Sequence, residues 1–123
     1  MGSRMQVVAI DAIDIRTVAA FWSRVLDWPV VEEAEDGISL APAGGAAPGI
    51  DVFSVPERKT VKNRLHLDLS VTGGLTVAQE LERLLELGAV KADVGQPRDA
   101  RWTVLADPEG NEFCLLHGHD DAR

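Results

Sequence analysis

Between Arg64 and Val71, polar and apolar residues alternate without a break. Leu65, Leu67, Leu69 and Val71 fall on one side; Arg64, His66, Asp68 and Ser70 fall on the other. A period of two is that of a strand with one buried face. The pattern therefore predicts a strand over 64–71, with Leu67 in the core and Asp68 outside it. The period then changes. After a turn at Thr72, Gly73 and Gly74, the residues Val77, Leu81, Leu84 and Leu85 recur at helical spacing, and Gly88 is placed to cap the helix. Short strands follow over 90–94, 101–106 and 111–116. The last two are joined by Asp107-Pro108-Glu109-Gly110, with Pro and Gly where a type I turn favours them.

The first half carries the same order. Residues 5–13 form a mostly apolar, β-branched run of strand length. Asp14 is a helix cap, Val18, Phe21, Trp22, Val25 and Leu26 make the apolar face, and Pro29 stops the helix. Strands are predicted over 30–33, 38–41 and 50–55, with a Gly-, Ala- and Pro-rich loop from Pro42 to Pro48. The halves repeat about 60 residues apart. Thr17-Val18-Ala19 sets against Thr76-Val77-Ala78, and Gly49-Ile50-Asp51 against Gly110-Asn111-Glu112. The expected class is α+β, with two βαβββ modules over about 5–57 and about 62–117 in a single domain spanning 1–123. Each module is a curved mixed sheet with a helix on its convex side. The polar strand faces line a concave cavity.

Composition narrows the partners. At 123 residues and 46% apolar content the chain can bury a core without staples. A net charge of −8 repels phosphate backbones and anionic lipid, which disfavours nucleic acid and membranes as partners. No apolar run approaches the roughly 20 residues of a membrane span. The first residues have no apolar signal-peptide core, so a cytoplasmic location is expected. One cysteine, Cys114, excludes an internal disulfide; it reads as a buried, inert thiol sharing strand parity with Glu112.

Three phrases carry a family resemblance: Ala-Ala-Phe-Trp-Ser-Arg-Val-Leu-Asp-Trp (19–28), Lys-Asn-Arg-Leu-His-Leu-Asp-Leu (62–69) and Arg-Trp-Thr-Val-Leu-Ala-Asp-Pro-Glu-Gly-Asn-Glu-Phe-Cys-Leu (101–115). Over residues 5–117 the chain resembles the glyoxalase-like branch of the vicinal oxygen chelate superfamily. That family pairs βαβββ modules and includes glyoxalases, extradiol dioxygenases, fosfomycin-resistance enzymes and bleomycin-binding proteins. The resemblance implies a small organic ligand in the inter-module cavity, with lyase or isomerase activity as one outcome. The alternative is a non-catalytic protein that sequesters a drug or metabolite. It also implies pairing of the chain as a homodimer.

The same resemblance supplies site residues. A divalent metal would take His66, Glu112 and Asp51 as ligands, while the fourth family position is Val7, which argues against a complete metal site. Glu112 and His66 would be the catalytic pair, as ligand or general base. Arg64 and Asp68 flank His66; they either orient it and bind a polar substrate or form an ion pair on a wet sheet face. Trp102 and Phe53 are either pocket walls or core. Trp22 and Trp28 read as core or interface. The tail from His117 to Asp121 resembles a metal cluster in composition only.

Overall fold

The computed structural model describes residues 1–118. The chain divides into two compact units, residues 1–58 and residues 59 onward. In the first, the Asp14 carboxylate accepts the Thr17 N–H and caps helix α1 (Ile15–Leu26). Val18, Phe21, Trp22 and Val25 are buried as their spacing predicts, and Phe21 meets Trp22 edge to face at 5.2 Å. Burying a side chain such as Phe21 contributes roughly 1.5–3 kcal/mol. The helix ends before Pro29. Asp27 turns into the left-handed region, and its N–H returns to the Ser23 carbonyl.

Strands β1 (Val7–Ala12), β2 (Val30–Glu33), β3 (Gly37–Leu40) and β4 (Gly49–Ser54) pair in the order β1-β4-β3-β2. β1 is parallel to β4; the other pairs are antiparallel. α1 packs on β1, β3 and β4. Ile38, Leu40, Ile50 and Val52 are buried, whereas Val7, Ala9 and Asp11 on alternate positions of β1 are exposed. Gly49 is needed where the strands approach, because a Cβ there would lie 2.7 Å from the Leu40 carbonyl oxygen.

The second unit uses the same plan. Strands β5 (Asp68–Leu69), β6 (Val90–Lys91), β7 (Trp102–Ala106) and β8 (Glu112–Leu116) pair in the order β5-β8-β7-β6, with β5 parallel to β8. Helix α2 (Val77–Leu87) falls between β5 and β6. The α+β class and the twice-used βαβββ order are therefore present. Helix α2 starts at a capping box that the hydrophobic pattern did not reveal: Thr76 accepts the Gln79 N–H while the Gln79 side chain accepts the Thr76 N–H. No helix among the described residues is long and apolar enough to cross a membrane.

Two expectations need correction. The strand expected over 64–71 pairs only at Asp68–Leu69, extended by the Cys114 N–H donating to the Leu67 carbonyl. Asp68 lies opposite Cys114, and β8 begins only two residues earlier, at Glu112. Residues 64 and 65 thus lie beyond the end of their partner strand and bend away, leaving Leu65 88% exposed. Leu67 is half-buried, Val71 is buried and Asp68 is exposed. On α2, Leu84 is fully buried but Leu85 is 38% exposed. Glu80 is buried on this helix instead, held by Arg83 at 2.8 and 2.9 Å.

Candidate functional site

The ladder between β7 and β8 sets Trp102 opposite Leu116, Val104 opposite Cys114 and Ala106 opposite Glu112. Alternation puts these side chains on one face of the sheet. Phe113, Leu115 and Leu105 go to the other face, where each is at most 1% exposed. β5 adds Asp68 beside Cys114 on the first face, and His66 precedes it by two residues. A cavity of about 450 Å³ lies over this face. Trp102, Val104 and Leu116 give it an apolar floor; His66, Asp68, Glu112, Cys114 and Lys62 give it polar groups; Val94, Gly95 and Gln96 close it from the loop after β6.

Glu112 lines the cavity but its carboxylate is taken. Lys59 Nζ lies 3.0 Å from Oε1 and 3.1 Å from Oε2, and the Asn63 N–H donates to Oε1 at 2.9 Å. Burial works to raise the Glu112 pKa, but the Asn63 N–H and the Lys59 ammonium together outweigh it and hold the carboxyl below its ordinary value. Glu112 therefore anchors the segment 59–63 to β8 as an ionised group.

His66 Nδ1 lies 2.8 Å from Asp68 Oδ1 and 3.9 Å from Cys114 Sγ. A carboxylate can only accept, so the Asp68 contact places the ring proton on Nδ1. Cys114 is 7% exposed, and its pKa rises to about 11. Burial is the main cause, followed by the negative charge and hydrogen bonding of Asp68; Lys62 opposes them. In this state Cys114 is a neutral thiol and a poor nucleophile. The donor atoms of His66, Asp68 and Cys114 all lie within 4.8 Å of one another.

The other residues singled out from sequence fall elsewhere. Arg64 is exposed in the bend before β5, outside the cavity lining, and Lys62 contributes the lining cation instead. Asp51 and Phe53 belong to the first unit, on β4, where Asp51 is half-buried opposite Ala9 and Ser39 and Phe53 is 44% exposed. Val7 is exposed on β1 opposite Gly49. Trp22 is core and Trp28 is half-buried. His117 Nε2 meets Thr103 Oγ1 at 2.8 Å; the rest of the tail cluster, His119 to Asp121, lies outside the described residues. Sequence reasoning missed Lys62, the loop 94–96 and the central position of Cys114. Only Cys114 left a signal, its shared parity with Glu112.

The ladders also relate the two units internally. Asp51 pairs with Ala9, two residues after Val7; Cys114 pairs with Asp68, two residues after His66. If Val7 is the counterpart of His66, Asp51 is the counterpart of Cys114 rather than of Glu112.

A doubled βαβββ plan with a polar cluster on one strand face is that of the vicinal oxygen chelate class. Residues 7–116 match the model of the glyoxalase-like domain, and the chain belongs to that family. No curated protein matches it. Among solved structures it is similar to a glyoxalase-related enzyme from Fulvimarina pelagi, with 18% identity over 94% of this chain and 88% of that one, at a TM-score of 0.68. A glyoxalase/bleomycin resistance protein/dioxygenase family enzyme from Burkholderia phytofirmans PsJN shares 19% identity over 94% and 98% of the two chains, at 0.65. The fosfomycin resistance protein FosX from Listeria monocytogenes, solved with Mn(II) and sulfate, shares 16% identity over 100% and 95%, at 0.71. At such identities the likeness is one of fold, and fold alone does not give function.

The metal that one such relative carries can be tested against the donors here. One imidazole, one carboxylate and one thiol converge. A thiol among the donors suits a borderline-soft ion of the zinc kind and not a hard ion such as Mg²⁺.

Proposed function

We propose that the protein binds a small organic molecule, largely apolar with one polar end, in the cavity of its second unit. The observation that carries this reading is the composition of the cavity: about 450 Å³, an apolar floor of Trp102, Val104 and Leu116, and the polar His66–Asp68 pair at one side. Ligand pockets of roughly 300–1,000 Å³ have this mixture of an apolar body and a few placed polar groups. Of the two functional outcomes, sequestration without turnover is favoured over lyase or isomerase chemistry. A general base works best with a pKa near the working pH, and Glu112 is held ionised and occupied by Lys59 and Asn63.

The test is a panel of small aromatic and alkyl compounds, with and without amine or carboxylate groups. Binding is read by tryptophan emission and by thermal shift. A hit raises Tm and changes emission in the parent, and Trp102→Phe abolishes the emission change. A panel in which no compound shifts Tm at millimolar concentration overturns the reading. Conversion of a bound compound, lost in Glu112→Gln, would put the lyase reading first.

Two further elements belong to this reading. The chain pairs as a homodimer, a proposal supported by exposed apolar side chains at Val30, Val31, Val61 and Leu65. It works in the cytoplasm, where a reducing environment keeps Cys114 a free thiol.

A further inference from the structure

The polar side of the cavity brings an imidazole, a carboxylate and a thiol into contact. Asp68 Oδ1 and Cys114 Sγ both approach the same ring atom, His66 Nδ1, at 2.8 and 3.9 Å. The Nδ1 hydrogen goes to Asp68, which also hydrogen-bonds the Cys114 thiol, so without an ion Asp68 holds both neighbours. This geometry also excludes a Cys–His–Asp relay, in which the thiol and the carboxylate would address opposite ring nitrogens. A cation placed among the three donor atoms, all within 4.8 Å of one another, serves all three together.

We propose that His66, Asp68 and Cys114 bind one thiophilic divalent cation of the zinc class. The backbone supports the placement: the parallel ladder fixes Asp68 opposite Cys114, and two-residue spacing returns His66 to the same face. Asp68 and Cys114 stand on paired strands, which hold donors more firmly than loops do, and His66 lies two residues before β5. The charges match as well. A carboxylate, a thiolate and a neutral imidazole carry two negative charges against the ion's two positive ones. On binding, the thiol proton leaves to solvent, and the imidazole proton moves to Nε2 so that Nδ1 can donate its lone pair. Three protein donors leave a coordination position for water or a ligand atom, and the cluster borders the cavity. This set differs from the His66, Glu112 and Asp51 ligands implied by resemblance. It lies wholly in the second unit and leaves Glu112 with Lys59 and Asn63.

The experiment uses the whole chain, stripped with a chelator and then titrated separately with Zn²⁺, Co²⁺ and Mg²⁺. Zn²⁺ and Co²⁺ should each bind at about one ion per chain and raise Tm, and Mg²⁺ should do neither. The Co²⁺ form should show a sulfur-to-cobalt charge-transfer absorption in the near ultraviolet, which reports thiolate ligation in the parent without any variant. Cys114→Ser should lose that absorption and weaken Zn²⁺ binding at least about tenfold, as should Asp68→Asn. Glu112→Gln and His119→Ala should bind as the parent does. Stoichiometric Co²⁺ without the charge-transfer band overturns the proposal, as does affinity that follows Glu112 or His119, or the absence of Zn²⁺ binding at micromolar concentration. Small-molecule binding, measured in chelator, stands or falls separately.

Discussion

Replacing Glu112 separates an anchoring role from a catalytic one. Its carboxylate carries an ion pair with Lys59, the two side chains being 17% and 20% exposed. It also accepts the Asn63 N–H. An exposed ion pair is worth about 0–1 kcal/mol and breaking a fully buried one costs about 3–5 kcal/mol, so this mostly buried pair falls at about 1–2 kcal/mol. The Asn63 bond adds about 1 kcal/mol. Glu112→Ala should therefore cost about 2–3 kcal/mol. Glu112→Gln, whose amide oxygen can still accept from Asn63, should cost about 1–2 kcal/mol. For a chain of this length the alanine variant should melt roughly 6–12 °C lower. The pH dependence has a definite sign. The folded-state pKa of Glu112 lies below its ordinary value of 4.5. Its stabilisation is thus fully present above that value and is lost as pH falls through the lowered one. Urea denaturation of parent and Glu112→Gln should differ most near neutrality and converge in acid. Equal midpoints for parent and Glu112→Ala at pH 7, or a gap unchanged in acid, would refute the anchoring argument. Ligand affinity in Glu112→Gln should stay within a few-fold of the parent; its abolition would make Glu112 a contact of the bound molecule.

Trp102, 37% exposed on the cavity floor, should behave in the opposite way: Trp102→Ala weakens ligand binding by about tenfold while costing little stability, checked by titration and melting of the same variant. Leu84, with no exposed surface on α2, should cost about 2–5 kcal/mol on truncation to Ala, measured by urea denaturation. Thr76→Ala removes one half of the capping box and should cost about 1 kcal/mol in the same assay. Light scattering should return twice the chain mass of 13.3 kDa; the single mass at micromolar concentration would end the homodimer proposal.

The fold was legible because each element carries its own period. Val18, Phe21, Trp22 and Val25 are buried as spaced, and Ile50 and Val52 face the core of their sheet. Pattern reading failed where pairing, not periodicity, decides. Leu65 sits in a faultless alternation, yet its side chain is exposed because β8 does not extend far enough to pair with residue 65. Leu85 has helical spacing yet is exposed, while Glu80, on another side of the helix, is buried with Arg83 as its partner. At the site, His66, Asp68, Glu112 and Trp102 were all visible as residues that could line a cavity. Their partners were not. Nothing local announces that Lys59 and Asn63, about fifty residues before Glu112, close on its carboxylate. Nor does a lone cysteine announce that it lies beside an imidazole forty-eight residues earlier.

Register also explains why the two modules, alike in topology, are unlike in chemistry. Counting from the turn sets Asp51 against Glu112, since each follows a glycine by two residues. Counting from the hydrogen-bonded partner sets Asp51 against Cys114, because a parallel ladder ties each residue of the last strand to a fixed residue of the first. Side chains meet across ladders, so the second count governs which donors can share a ligand. By that count the first unit offers Val7, Ala9 and Asp51 where the second offers His66, Asp68 and Cys114. One carboxylate beside an isopropyl and a methyl group supplies a single donor. An imidazole, a carboxylate and a thiol do converge, and they border the cavity whose apolar floor is Trp102, Val104 and Leu116. On the proposed function the ligand-binding chemistry belongs to the second unit, and substitutions at Asp68 and Cys114 should change what the protein binds more than substitutions at Ala9 and Asp51.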